Sequence, residues 1–198
     1  MNILLHAVGI LGFLFIFWKR VKEDYISSQT FSGGFLILAG ILLAFSLSLK
    51  FASLWWFWLV ILGYLLGLLF GILKFNFKFT EVFEAANIGL MFWLMFAFLN
   101  HAITNSNLSS LIGAGILFIG LMSFSLLDKY YKRFSWYKSG RVGFSGFTVA
   151  GFIFLIRAVG TAFYQTLYTS AGRFDFLLSS VAAFIFFLLV YNLSRTET

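Results

Sequence analysis

The chain is a succession of long apolar runs broken by short polar or charged segments. The runs occupy residues 3–18, 31–49, 51–73, 79–99, 108–127, 142–164 and 175–193. About 20 residues at 1.5 Å rise cross the roughly 30 Å of hydrocarbon in a bilayer, so each run has the length of a membrane-crossing helix. Strands of an outer-membrane barrel would alternate apolar and polar residues, and these runs do not. The pattern predicts an all-α fold. The expected architecture is a polytopic integral membrane helical bundle of about seven transmembrane helices, a single transmembrane domain over residues 1–198.

Composition agrees with the pattern and removes several classes of chemistry. Hydrophobic residues make up 61% of the chain and charged residues 11%, whereas an average soluble domain carries about 25% charged residues. Aromatics reach 22%, with 29 Phe, a usage suited to lipid-facing helices and interfacial belts. Cysteine and proline are both absent, which excludes disulfides, thiolate metal sites and cysteine nucleophiles. The first run lacks a basic segment before it and carries its charges after it, so it reads as a retained span and not as a cleaved signal peptide.

The net charge of +7 points to orientation in a bilayer. Nucleic acid is not an expected partner, because the basic residues sit between apolar runs and build no basic face on a soluble domain. With seven spans and the N-terminus outside, the cytoplasmic segments hold Lys19, Arg20, Lys22, Lys74, Lys78, Lys129, Lys132, Arg133, Lys138, Arg141 and Arg195. Only Lys50 and Arg173 fall outside, and Arg157 lies within the sixth span. This is the positive-inside bias of a plasma (inner) membrane protein with a cytoplasmic C-terminus. The largest polar segment, DKYYKRFSWYKSGR from Asp128 to Arg141, reads as a topology determinant. Its basic and aromatic content also suits anionic headgroups.

Ionisable groups within a membrane are costly, and each is a candidate site. Arg157 suits a lipid phosphate through its planar guanidinium; the competing role is outward snorkelling or a pair with a carboxylate such as Asp175. Glu81 and Glu84 open the fourth span, where carboxylates favour the helix dipole and capping. Asn87 lies deeper and is placed to hydrogen-bond a neighbouring helix. His6 and His101 both fall toward the outer face, where a shared site is geometrically open to them, but two histidines without carboxylates do not make a metal site. No metal or other cofactor is expected. The glycines Gly33, Gly34, Gly63, Gly67, Gly71, Gly113 and Gly115 read as close helix-packing positions.

The order of segments resembles prolipoprotein diacylglyceryl transferase, a family of seven spans with the N-terminus outside that moves diacylglycerol from phosphatidylglycerol onto a prolipoprotein cysteine. LHAVGILGF followed by KRVKED is similar to the family's first span and its basic exit, with Gly9 at the glycine of a tyrosine-glycine pair and Val8 at the tyrosine. In KFNFKFTEVFEAAN, Glu84 takes an acidic position, and Gly63 matches a family glycine; Trp58, Leu59 and Val60 stand where the family has His-Gly-Gly. LMFAFLNHA keeps one asparagine of the family's arginine-asparagine-glutamate signature, at Asn100, with Leu94, Ala97 and Ala102 at the other positions. GFSGFTVAGFIFLIRAVG matches the last signature at Phe154, while Ile153, Arg157 and Gly160 replace arginine, glutamate and arginine. Only about ten polar residues, HAITNSNLSS, stand where the family has an outer head region.

The resemblance therefore covers the scaffold and misses the residues that grip phosphate or move a proton. It implies a divergent, lipid-binding relative without the usual active site. The expected partner is an anionic phospholipid, phosphatidylglycerol, with a prolipoprotein or another membrane protein as a further partner. Arg157, Asn100 and His101 are the candidate lipid-binding residues, and Glu84 and Asn87 the polar intramembrane ones; no catalytic residue is assigned. The alternatives are an active transferase with a rearranged site, or a small transporter or structural membrane subunit.

Overall fold

The structure, a computed structural model, describes residues 3–134, 137, 142–163 and 173–195. Seven α-helices account for most of them: α1 Ile3–Val21, α2 Ser27–Phe51, α3 Trp56–Phe75, α4 Phe79–Asn105, α5 Leu108–Tyr130, α6 Phe144–Phe163 and α7 Arg173–Arg195. Short 3₁₀ turns occupy Ser53–Trp55 and Tyr131–Arg133, and no strand occurs among the described residues. All seven helices are long and apolar enough to cross a membrane. The chain is an all-α, multi-pass membrane protein.

Every helix but α6, which lies inside its run of 142–164, passes its apolar run at one end at least, because polar residues at a span's end still satisfy their backbone groups helically. α4 continues to Asn105 and not to residue 99, closing on Ser106 in the left-handed conformation (φ 48°). α2 begins four residues before its apolar run, with Ser27, Ser28, Gln29 and Thr30 in its first turn. The third run starts later than its hydropathy implies. Phe51 still belongs to α2, and the chain turns through Ser53–Trp55 before α3 begins at Trp56.

α4 is the axis of the bundle. Within its span 56% of residues are buried, against 17% to 39% in the other six. It packs on α1 and α5 and touches α3 and α6 more lightly, while α2 pairs with α3 and α6 with α7. The α2–α3 pair is closed by backbone. A Cβ on Gly40 would strike the Gly63 carbonyl and one on Gly63 the Gly40 carbonyl, while at Gly67 it would lie 2.7 Å from the Leu36 carbonyl. Such approach needs residues without a side chain.

The glycine readings divide accordingly. Gly63 and Gly67 are backbone contacts, and Gly40, which the pattern did not single out, is their partner. Gly33 faces the Phe77 ring and Gly34 faces Leu14 and Phe17. Gly71 and Gly113 have only ordinary contacts, at 3.9 Å and 3.5 Å, and Gly115 has nothing within 4 Å.

Basic residues gather at one end of the bundle, where polar contacts fasten the helix ends together. Arg20 of α1 makes a two-toothed ion pair with Asp128 of α5, at 2.7 Å and 3.2 Å. The Lys78 amide donates to the Tyr25 hydroxyl at 2.8 Å. The Lys78 ammonium lies 3.2 Å from Glu81 and 3.9 Å from Asp24. Lys138 and Arg141 lie outside the described residues.

Candidate functional site

Where α3, α4, α5 and α6 meet there is a cavity of about 380 Å³. Phe57 and Ile61 come from α3; Asn87, Leu90, Met91, Leu94 and Phe98 from α4; Gly113, Ile116 and Leu117 from α5; and the 150–160 stretch of α6 completes the wall. Small residues at Gly113, Ala150 and Gly160 let the wall recede. Among the lining residues only Asn87 and Arg157 carry polar side chains. An apolar hollow with a few fixed polar groups is the usual form of a small-molecule site.

Arg157 is held from two sides. Its Nη2 donates to Asp175 Oδ1 at 3.1 Å, and its guanidinium carbon stands 3.7 Å from the centre of the Phe57 ring. Asp175, in the first turn of α7, is fully buried, and its Oδ1 also accepts from the Trp58 indole at 2.6 Å. Phe154 stacks on Trp58, with centroids 6.2 Å apart. A buried charge needs such a partner and such hydrogen bonds, and the aromatic face adds cation–π attraction. Arg157 Nε is buried and has no hydrogen-bond partner among the described residues.

Asn87 is the deeper polar group. Its Oδ1 accepts from the Tyr64 hydroxyl of α3 at 3.0 Å, and its Nδ2 is buried without a partner among the described residues. An unpaired buried donor costs about 1–3 kcal/mol. Glu81 Oε2, Trp93 Nε1 and Ser179 Oγ are also without a hydrogen-bond partner among the described residues, but none of these residues lines the cavity.

Glu84 belongs to a different cluster. It is 1% exposed. Its Oε1 accepts from the Ser145 hydroxyl and from the Gly146 amide, both at 2.8 Å. The carboxylate thus caps the start of α6, a neighbouring helix, where the dipole favours it. A Cβ on Gly146 would come 2.6 Å from Glu84 Cγ, so glycine is what admits the carboxylate there. Ser145 lies 3.4 Å from Asp128, which links this cap to the Arg20–Asp128 pair.

The hydrogen bond sets Gly146 level with Glu84, and Arg157 lies eleven residues further along α6. The two are thus about 16 Å apart along the helix axis and cannot act on one atom.

The remaining candidates are not brought to Arg157. Asn100 is buried and its Nδ2 lies 2.9 Å from His6 Nε2, which ties α4 to α1. His101 turns toward α5, with Nδ1 2.8 Å from the Ser110 hydroxyl. The two histidines thus serve separate helix contacts and share no site, and no metal-holding group of His, Cys, Asp or Glu occurs among the described residues. His101 continues the stripe of α4 that carries Leu94 and Phe98, one turn beyond the cavity wall.

Sequence reasoning missed Tyr64 and the part played by Trp58. Both are polar only at one atom, and both sit inside apolar runs, Trp58 in a WWFW string. No protein-family model, curated protein or solved structure matches this chain.

Proposed function

We propose that this protein holds one anionic phospholipid, phosphatidylglycerol in the first instance, in the cavity between α3, α4, α5 and α6. The reading rests on one observation: a hollow lined by apolar side chains carries, at Arg157, a guanidinium whose buried Nε has no hydrogen-bond partner among the described residues. Acyl chain fills such a hollow by the hydrophobic and dispersion terms that pack any core. The guanidinium offers a charge-assisted hydrogen bond to a phosphate oxygen. Asp175 divides its Oδ1 between Trp58 and Arg157. It holds the guanidinium in place without occupying Nε.

In this reading the chain is a divergent relative of the prolipoprotein diacylglyceryl transferases that binds lipid without the usual transfer chemistry. Glu84, the acidic residue that the resemblance retains, supports it by its position: the side chain is committed to the start of α6, about 16 Å from Arg157 along the axis. A carboxylate at that distance cannot serve as a base for a group held at the guanidinium, since a base must come within hydrogen-bond reach. The protein sits in the plasma membrane with its basic end cytoplasmic and its N-terminus outside.

The test is the lipid that copurifies in mild detergent. Wild-type protein should retain phosphatidylglycerol, and Arg157→Leu should retain at most a third as much at equal helix content. Unchanged phosphatidylglycerol in a folded Arg157→Leu variant would overturn the assignment.

A further inference from the structure

We infer that Asn87 is a second polar subsite of the cavity, one that receives an ester carbonyl oxygen of the bound lipid; this rests on the reading that the cavity holds a phospholipid. The inference starts from the orientation of the amide. Tyr64 is 3% exposed, and its hydroxyl proton must find an acceptor inside the bundle. Asn87 Oδ1 supplies it at 3.0 Å. The carbonyl end of the amide is therefore turned to α3, and the NH₂ end is left over, buried and without a partner among the described residues, on a residue that lines the cavity.

The polar groups of the cavity wall are then donors only. The unpartnered atoms of the two polar lining residues, Asn87 Nδ2 and Arg157 Nε, are buried donors, while the acceptors beside them, Asn87 Oδ1 and Asp175 Oδ1, are engaged by Tyr64, Trp58 and Arg157. A ligand that satisfies both must bring two acceptor oxygens. Alcohols and amines would bring donors with nothing to receive them.

Spacing narrows the class further. Phe57, under the guanidinium, and Tyr64, on the Asn87 amide, are seven residues apart on α3, which is about 10 Å along the axis. Two hydrogen bonds of ~3 Å each leave about 4 Å between the acceptors when all are in line. A phosphate oxygen and an acyl ester carbonyl joined through a glycerol backbone span that interval. An unsubstituted hydrocarbon tail at Asn87 would leave Nδ2 unpaired, so the subsite selects ester-linked over ether-linked chains.

The experiment is native mass spectrometry of the full-length, delipidated protein in detergent, titrated with diacyl phosphatidylglycerol and with its dialkyl-ether analogue of equal chain length. The headgroup and tails are the same, and only the carbonyls differ. Wild type should bind the diacyl lipid about tenfold more tightly, the effect of one hydrogen bond to a buried donor. The paired variant Tyr64→Phe/Asn87→Leu removes both polar groups without orphaning either, and should bind the two lipids within twofold of each other.

Equal binding of both lipids by wild type would overturn the Asn87 subsite and leave the cavity reading standing. Binding of neither would overturn the cavity reading itself. A preference that survives in the paired variant would place its origin away from Asn87.

Discussion

At the residue scale the decisive feature is a buried charge that is paired but not saturated. Arg157 and Asp175 meet at 3.1 Å, with side-chain exposures of 16% and 0%. Removing one partner of such a pair strands the other charge in a low-dielectric interior, typically at a cost of about 3–5 kcal/mol. Arg157→Leu should therefore lower the unfolding temperature in detergent markedly, and Arg157→Leu/Asp175→Leu should recover a substantial part of the loss. A double variant no more stable than the single one would show that the pair is not what seats α7 against α6.

The pair was partly legible in the sequence, since Arg157 is the lone cation within a span and Asp175 the carboxylate at the head of the next run. Trp58 was not. Its single N–H is invisible among neighbouring tryptophans until the fold brings α3 beside α7. Asn100 and His101 illustrate the opposite error. Adjacent residues on a helix point about 100° apart, so the sequence neighbours serve α1 and α5 separately.

At the scale of elements, hydrophobic run length located all seven helices, because the bilayer sets a minimum span and nothing else in the chain competes with it. The ends were less legible, since hydropathy falls before helicity does: α4 keeps its helix through His101 to Asn105. Helix pairing was less legible still. Seven glycines read alike from spacing, yet only Gly63 and Gly67 meet another backbone closely, Gly33 meets the buried Phe77 ring, and Gly71, Gly113 and Gly115 have ordinary contacts or none. Gly63→Leu should open the α2–α3 pair and destabilise by about 1–3 kcal/mol or more, since overpacking a close contact forces backbone to move. Gly115→Ala, with nothing within 4 Å of its Cβ, should be neutral or stabilising by up to about 1 kcal/mol, because alanine is the better helix former. Thermal unfolding of the two variants side by side checks the contrast, and an equal loss in both would contradict it.

At the scale of the whole molecule, charge and packing divide the bundle into two ends. The Arg20–Asp128 pair and the Glu84 cap lie at the end rich in basic residues, while Arg157, Asp175 and Trp58 gather toward the other. The account puts the basic end in the cytoplasm. Because the chain has no cysteine, single cysteines report sidedness without background. Lys50→Cys should react with a membrane-impermeant maleimide in intact cells, and Lys22→Cys only after the membrane is opened. The reverse pattern would invert the topology.

The cavity itself was not legible in the sequence. It arises from how four helices diverge, and its wall residues are ordinary members of apolar runs. That hollow carries the functional account, so the most direct test is to fill it. Gly113 lines the cavity, and the nearest atoms to a Cβ there belong to the Phe98 ring, at 3.5 Å. A leucine at that position adds its bulk to the hollow and leaves Arg157 and Asn87 untouched. Native mass spectrometry of protein purified in mild detergent should find one phospholipid per wild-type chain, and at most a third of that occupancy in Gly113→Leu. A wild-type chain that carries no lipid, or a folded Gly113→Leu chain that carries as much, would contradict the account.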